Sequence, residues 1–190
     1  MERSRCPWCG TDPLYTAYHD REWGVPRHED PVLFEFLVLE TFQAGLSWIT
    51  VLRKREEFRA AFDQFSPERI ARYDKDKIEE LVHNAGIIRH RAKIIATVAN
   101  AKAFLETVEK FGSFSRYLWA FNDHRILVNQ WNTLEELPAR TALSDAIAKD
   151  MKRRGFRFVG STVIYAYLQA IGMVNDHLVS CFRHREIQNE

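Results

Sequence analysis

Cysteine is scarce in this chain: three among 190 residues, at positions 6, 9 and 181. That spacing is a poor disulfide framework, which favours a reducing, cytoplasmic setting over a secreted one. Long apolar runs are missing as well. Met1-Glu2-Arg3-Ser4-Arg5 leads into no hydrophobic stretch, so no secretory leader is expected. The longest uncharged segment, Phe158 to Asn175, carries Ser161, Thr162, Gln169 and two glycines. It reads as a buried helix and not as a membrane span. No segment sustains the period-two alternation of a half-buried strand. Repeats, low-complexity tracts and linkers are absent, which leaves one domain over residues 1–190, and nothing calls for an oligomer. Net charge is nearly absent too, at +1, so the overall balance neither demands nor excludes nucleic acid.

What is present is helical. At 46% hydrophobic and 28% charged the composition is that of an ordinary globular protein with a sizeable core. Asp30-Pro31 is an N-cap with proline at the first helical position, opening an apolar segment that ends near Phe42. After the turn Gln43-Ala44-Gly45-Leu46, Ser47 caps a helix running to about Phe62. Ser66-Pro67 starts another, and Asp74 caps one through Val82 that stops at Gly86. A long helix from about Arg89 to Phe111 places Ile94, Ile95, Val98 and Ala101 at core spacing. Ser113 caps a short aromatic helix ending at Phe121, and residues 122–143 read as loop. Ser144 caps a helix ending at Gly155, and Ser161 opens one that Gly172 closes. The expected class is all-α.

Cys6 and His19 lie near one end of the chain, and His177 and Cys181 near the other. The second pair is spaced i, i+4, one face of a helix or helical turn. Two thiolates and two imidazoles suit tetrahedral zinc, and four protein ligands leave no position for water, so such a metal is structural. Cys6-Pro-Trp-Cys9 is itself a CxxC, so five residues compete for four places and a redox pair is a second option.

Aromatic residues are dense near the start: Trp8, Tyr15, Tyr18 and Trp23 fall within sixteen residues, and Trp48 follows the Gln43–Leu46 turn. Flat walls suit a flat ligand, and their negative faces suit a cationic one. Glu40 follows Phe36 and Leu37 by four and three residues and so shares their apolar face. A carboxylate there is costly without a partner, which makes it a candidate site residue. Between helices of about 144–172, Gly155-Phe-Arg-Phe-Val-Gly160 is a tight connection that lets a backbone approach closely. Amides at the start of the following helix can face a phosphate, with Arg153, Arg154 and Arg157 adding charge.

Four segments carry a resemblance. Asp12-Pro13-Leu14-Tyr15-Thr16-Ala17-Tyr18-His19-Asp20-Arg21-Glu22-Trp23-Gly24-Val25-Pro26 is the first, and Gln43-Ala44-Gly45-Leu46-Ser47-Trp48-Ile49-Thr50-Val51-Leu52 the second. Ala85-Gly86-Ile87-Ile88-Arg89-His90-Arg91 follows, then Arg154-Gly155-Phe156-Arg157-Phe158-Val159-Gly160 continuing to Val174-Asn175-Asp176-His177. Together they resemble the 3-methyladenine glycosylase I family of helix-hairpin-helix DNA glycosylases, over nearly the whole chain from Cys6 to Cys181. The resemblance implies one structural Zn2+ per chain on Cys6, His19, His177 and Cys181, joining the terminal segments 6–19 and 177–181. It implies Glu40 as the catalytic, base-contacting carboxylate and Trp8, Tyr15, Tyr18, Trp23 and Trp48 as the base pocket. Gln43, Gly45 and Leu46 become a wedge entering the duplex, and Arg153, Arg154, Gly155, Arg157 and Gly160 the DNA grip. The implied partner is double-stranded DNA bearing alkylated bases.

Two positions depart from the wider superfamily. Thr162 stands where a strand-nicking enzyme carries lysine, and Asn175 where a catalytic aspartate stands. Asp176 is adjacent, but one residue on a helix rotates a side chain by about 100°. The implied activity is therefore hydrolytic release of N3-methyladenine without strand cleavage. A non-catalytic sensor of alkylated DNA is the alternative that the missing aspartate suggests, and a zinc hydrolase would need an open metal position. Thr41-Phe42 replaces the Gly-Gln that the family leads one to expect, and is expected to alter the pocket rim.

Overall fold

The computed structural model describes residues 3–189. Helices dominate, as expected. In chain order they are α1 (Pro13–Arg21), α2 (Asp30–Gln43), α3 (Trp48–Leu52), α4 (Arg55–Ala61), α5 (Pro67–Ile70), α6 (Lys75–His83), α7 (Arg91–Phe111), α8 (Phe114–Trp119), α9 (Ala142–Arg153), α10 (Ser161–Ala170) and α11 (Phe182–Glu186). One contiguous hydrophobic core runs through them, with α2 packed against α7, α8 and α10. No helix among the described residues is long and apolar enough to cross a membrane.

Local chemistry explains several differences from expectation. Asp30 is the first residue of α2 and does not cap it; its carboxylate accepts from the backbone N–H groups of Phe114 and Ser115, both at 2.8 Å, and so satisfies the start of α8. The helix expected from Ser47 to Phe62 is broken after Leu52. The break lets Lys54 donate to the carbonyls of Ala85 and Gly86, and turns Arg55 inward onto Glu22 (2.5 Å) and Glu35 (2.6 Å). α9 begins two residues before Ser144. Thr141 is the cap, and Ser144 is its reciprocal partner, accepting from the Thr141 N–H while Thr141 Oγ1 accepts from the Ser144 N–H. Ile95, expected in the core, is 48% exposed.

α10 ends at Ala170 and is closed by Gly172 just past its C-cap, as expected, and two two-residue strands pair in parallel: β1 (Leu127–Val128) with β2 (Val174–Asn175). This small ladder, unsignalled because it is too short for any period, ties the long loop before α9 to the segment after α10. Gly172 is what allows the crossing. Its φ is +71°, and a Cβ there would lie 2.3 Å from the Val25 carbonyl carbon and 2.5 Å from the Gly24 oxygen. Gly172→Ala should therefore destabilise the fold by about 3 kcal/mol or more, combining a left-handed backbone with overpacking against main chain. A thermal melt within a few degrees of the wild type would contradict this.

Candidate active site

α1 and α2 supply most of the site. α1 starts at a proline behind Asp12, whose carboxylate accepts from the N–H groups of Leu14 (2.9 Å) and Tyr15 (3.2 Å). Tyr15 and Tyr18 leave this helix on one side. Beyond it, the chain crosses the end of α10: the Gly24 N–H donates to the Gln169 carbonyl and the Arg27 N–H to that of Ile171. That crossing sets Trp23 beside the others.

The result is a cavity of about 210 Å³ lined by Trp8, Tyr15, Tyr18, Trp23, Glu40, Gln43, Trp48, Leu137, Ala166 and Gln169. All five aromatic residues expected in a pocket are brought together, with Glu40 among them. Trp8 lies 5.0 Å from Tyr15 and 5.0 Å from Trp23, ring centre to ring centre, and Tyr18 lies 5.3 Å from Trp48. A space of this size fits a single heterocycle, below the range of pockets for drug-sized ligands.

Glu40 is 4% exposed and makes no hydrogen bond or ion pair with another described residue. Burial alone pushes its carboxyl up to about 8. The hydroxyl of Tyr18 and the indole Nε1 of Trp48 are also buried without a partner. Three residues that line one apolar cavity thus carry unsatisfied polar groups, the kind of groups a bound heterocycle with its own donors and acceptors satisfies.

Thr41 and Phe42 leave the rim alone, contrary to expectation. The Thr41 hydroxyl bonds back to the Leu37 carbonyl at 2.9 Å, and Phe42 packs 4.8 Å from Phe58 in the core. Gln169 and Leu137 were not anticipated as lining residues. Gln169 was open to the argument that found Glu40, being polar in an otherwise apolar helix, whereas Leu137 arrives on a loop and gives no periodic signal.

Asp176 is no candidate for a general base. One oxygen accepts from Asn129 Nδ2 and Trp131 Nε1, both at 2.7 Å, and the other from the Tyr165 hydroxyl (2.5 Å) and Gln169 Nε2 (2.7 Å). Four donors occupy its lone pairs. Asn175 is buried and braces the chain, donating to the His184 carbonyl and accepting from the His177 N–H.

Behind the pocket, Cys6, His19, His177 and Cys181 are all buried, and their ligand atoms lie within 4.8 Å of one another, so they could hold a metal ion. Their separations fit tetrahedral coordination. Cys6 Sγ to His177 Nδ1 is 3.5 Å, Cys181 Sγ to His19 Nε2 is 3.4 Å and Cys181 Sγ to His177 Nδ1 is 3.6 Å. Thiolate and imidazole ligands on a tetrahedral zinc stand about 3.6 Å apart. The outer ring nitrogens are held as ligating histidines require: His19 Nδ1 lies 2.8 Å from Asp20 Oδ1, and His177 Nε2 donates to the Trp23 carbonyl at 3.1 Å. His177 and Cys181 sit on a turn, closed by the Cys181 N–H donating to the Leu178 carbonyl, and not on a helix. Cys9 stays outside the cluster, its thiol donating to the Cys6 carbonyl at 3.2 Å.

The expected DNA-facing residues divide. Leu46 is 40% exposed at the tip of a turn in which the Leu46 N–H donates to the Gln43 carbonyl, Gln43 Nε2 donates back to the Leu46 carbonyl, and Gly45 has φ +87°. Gly160 has an ordinary φ of −66°, and a Cβ there would meet nothing, so the fold itself makes no demand for glycine. Arg157 is exposed beside it, and its side chain makes no hydrogen bond or ion pair among the described residues. Arg153 and Arg154, by contrast, both pair with Asp150, at 2.5 and 2.6 Å. Arg154 is also sandwiched over the rings of Phe111 (4.7 Å) and Tyr117 (4.9 Å), so its charge is spent inside the fold.

Comparison with known proteins agrees with this geometry. The sequence model of the family described as methyladenine glycosylase matches residues 8–184. DNA-3-methyladenine glycosylase 1 of Escherichia coli (strain K12) is 51% identical over 177 residues, covering 93% of this chain and 95% of that protein. The DNA-3-methyladenine glycosylase of Haemophilus influenzae is 49% identical over 179 residues, covering 94% and 96%. The solved structure of 3-methyladenine DNA glycosylase I from Staphylococcus aureus superposes with a TM-score of 0.91 at 34% identity, over 94% of this chain and 95% of that one. A family model matched over most of the chain, a shared fold and half the residues in common lead to one assignment: the chain belongs to the methyladenine glycosylase family.

Proposed function

We propose that this protein flips N3-methyladenine out of duplex DNA and hydrolyses its N-glycosidic bond, leaving an unbroken strand with an abasic site. The observation that carries this is Glu40: a buried carboxylate with no protein partner, facing aromatic walls. Methylation at N3 makes the adenine of the nucleotide cationic. A cation in the pocket favours the ionised carboxylate, and the ring faces of Trp48 and Tyr18 reinforce it. The base then leaves as a neutral molecule, so little acid catalysis is needed. That fits an Asp176 locked by four donors and an Asn175 turned to structural duty. Normal adenine, uncharged, gains less from the same pocket.

The helix pair α9 and α10 with its connection is the helix-hairpin-helix that grips the phosphate backbone, through Arg157, Gly160 and the free amides of α10. Leu46 is the wedge that fills the gap left by the extruded base. We assign Cys6, His19, His177 and Cys181 to one zinc ion. When bound, the ion joins both ends of the chain and, closed by four protein ligands, takes no part in the reaction. Three buried cysteines, none in a disulfide, suit a cytoplasmic setting.

The test is incubation with N3-methylated duplex. Released free base, an intact strand and no borohydride-trapped adduct are expected; tight binding without release would leave a sensor, and a nicked strand would place the protein in another class. For the grip, Arg157→Ala should flatten the salt dependence of duplex binding by about one unit of slope. Arg154→Ala should instead lower the melting temperature, with the slope kept.

A further inference from the structure

We propose that Lys93 and Asn100, on one face of α7, are positioning residues that hold the wedge turn and the phosphate-gripping connection at a fixed spacing. Neither residue lines the pocket, and both are buried: Lys93 is 6% exposed and Asn100 fully buried. The inference rests on the wedge-and-grip reading above.

α2 ends just before the wedge turn, and its last carbonyls have no ordinary cap. Its last turn carries no basic residue, and the residue after it makes no capping bond. Lys93 supplies the cap from another helix. Its ammonium donates to the Phe42 carbonyl at 3.1 Å and to the Ala44 carbonyl at 2.7 Å, the second of which lies within the turn that carries Leu46. A cation at the negative end of a helix is favourable, and burying an ammonium is worthwhile only when such acceptors meet it.

Seven residues further along α7, Asn100 does the same for the other loop. Its Oδ1 accepts from the Arg157 N–H at 2.7 Å, and its Nδ2 donates to the Arg157 carbonyl at 3.1 Å. One amide thereby fixes both main-chain groups of the residue before Phe158, whose φ of +54° is strained for a non-glycine. Seven residues are two helical turns, so the two attachment points stand on one face about 10 Å apart. Base extrusion requires Leu46 to push into the stack while the strand is held at Arg157 and Gly160. A rigid helix bonded to both loops keeps the push and the hold in register.

Lys93→Met keeps the stem and removes the charge. Its single-turnover excision should fall by about tenfold to a hundredfold, the scale of a small misplacement of reacting groups. Extrusion, read from 2-aminopurine fluorescence beside the lesion, should fall in parallel. Binding of free 3-methyladenine and of undamaged duplex should stay within about twofold, since pocket and grip are each intact. Lys93→Arg should recover most of the loss, and the double variant with Asn100→Asp should be little worse than the poorer single one, because both break the same strut. If Lys93→Met fails to fold, Asn100→Asp carries the same measurements from the other loop. Equal losses of excision and free-base binding would show a merely structural role and overturn the proposal, as would unchanged excision. If Leu46→Gly leaves extrusion untouched, the wedge reading itself is what has failed.

Discussion

Glu40→Gln should cut excision of N3-methyladenine by roughly ten- to a hundredfold, the worth of one charge-assisted hydrogen bond of about 1.5–3 kcal/mol. An amide cannot balance a cation, and it must turn N–H groups toward the base. Activity should not vanish, because the lesion's own charge drives departure of the leaving group. The pH dependence should change as well. Burial pushes the wild-type carboxyl up to about 8, so the free enzyme holds it protonated near neutrality and must release that proton to meet a cationic base. Wild-type kcat/KM should therefore rise with pH toward about 8, and the Gln variant should not follow. Stability should run the other way. An unfolded glutamate ionises near 4.3, so between about 4.3 and 8 the unfolded chain binds fewer protons than the folded one and stability falls as pH rises. The Gln variant loses that slope and should melt higher than the wild type at pH 8. Wild-type excision by Glu40→Gln, or parallel pH profiles, would move recognition to another residue.

If Cys6, His19, His177 and Cys181 hold zinc as proposed, removing it should produce the largest stability change. The ligands at residues 6 and 181 span nearly the whole chain, and cross-linking so long a loop is worth on the order of 3–5 kcal/mol. Chelation, or Cys181→Ser, should lower the melting temperature by roughly 10 °C for a protein of this length. Readded zinc should restore the chelated protein. Excision per folded molecule should change far less than stability, since no ligand position is open to water. Metal-free protein on purification would end the assignment, and a Cys9→Ser variant that loses metal while Cys6→Ser keeps it would reverse the ligand choice.

Much of the site was legible because its residues violate local rules. Glu40 is an acid in apolar phase, the aromatic residues are far denser than average, and two cysteines with two histidines recur at separated ends. The first two have no reason in core packing, and the third has none unless the two chain ends meet. What escaped was carried by residues whose local context looks ordinary. The Arg154 charge looks free in sequence, yet Asp150 lies four residues before it on the same helix face and Phe111 and Tyr117 flank it, whereas Arg153 pairs with Asp150 but stays exposed. Lys93 and Asn100 share a face with Thr97 and so mark a polar stripe inside α7, but which loops they meet is a matter of tertiary contact alone. The parallel pairing of β1 with β2 joins residues 47 apart and has no signal of its own.

Asp176 has one further consequence. Its four bonds tie the pocket wall at Gln169 to α10, to the Trp131 loop and to the ladder segment, so that wall cannot swing aside for a larger guest. A stiff recess spends little order when its ligand arrives, because the ordering was completed when the chain folded. Such a recess should also be intolerant: a purine carrying one extra methyl should be excised and purines with bulkier adducts should be excised poorly.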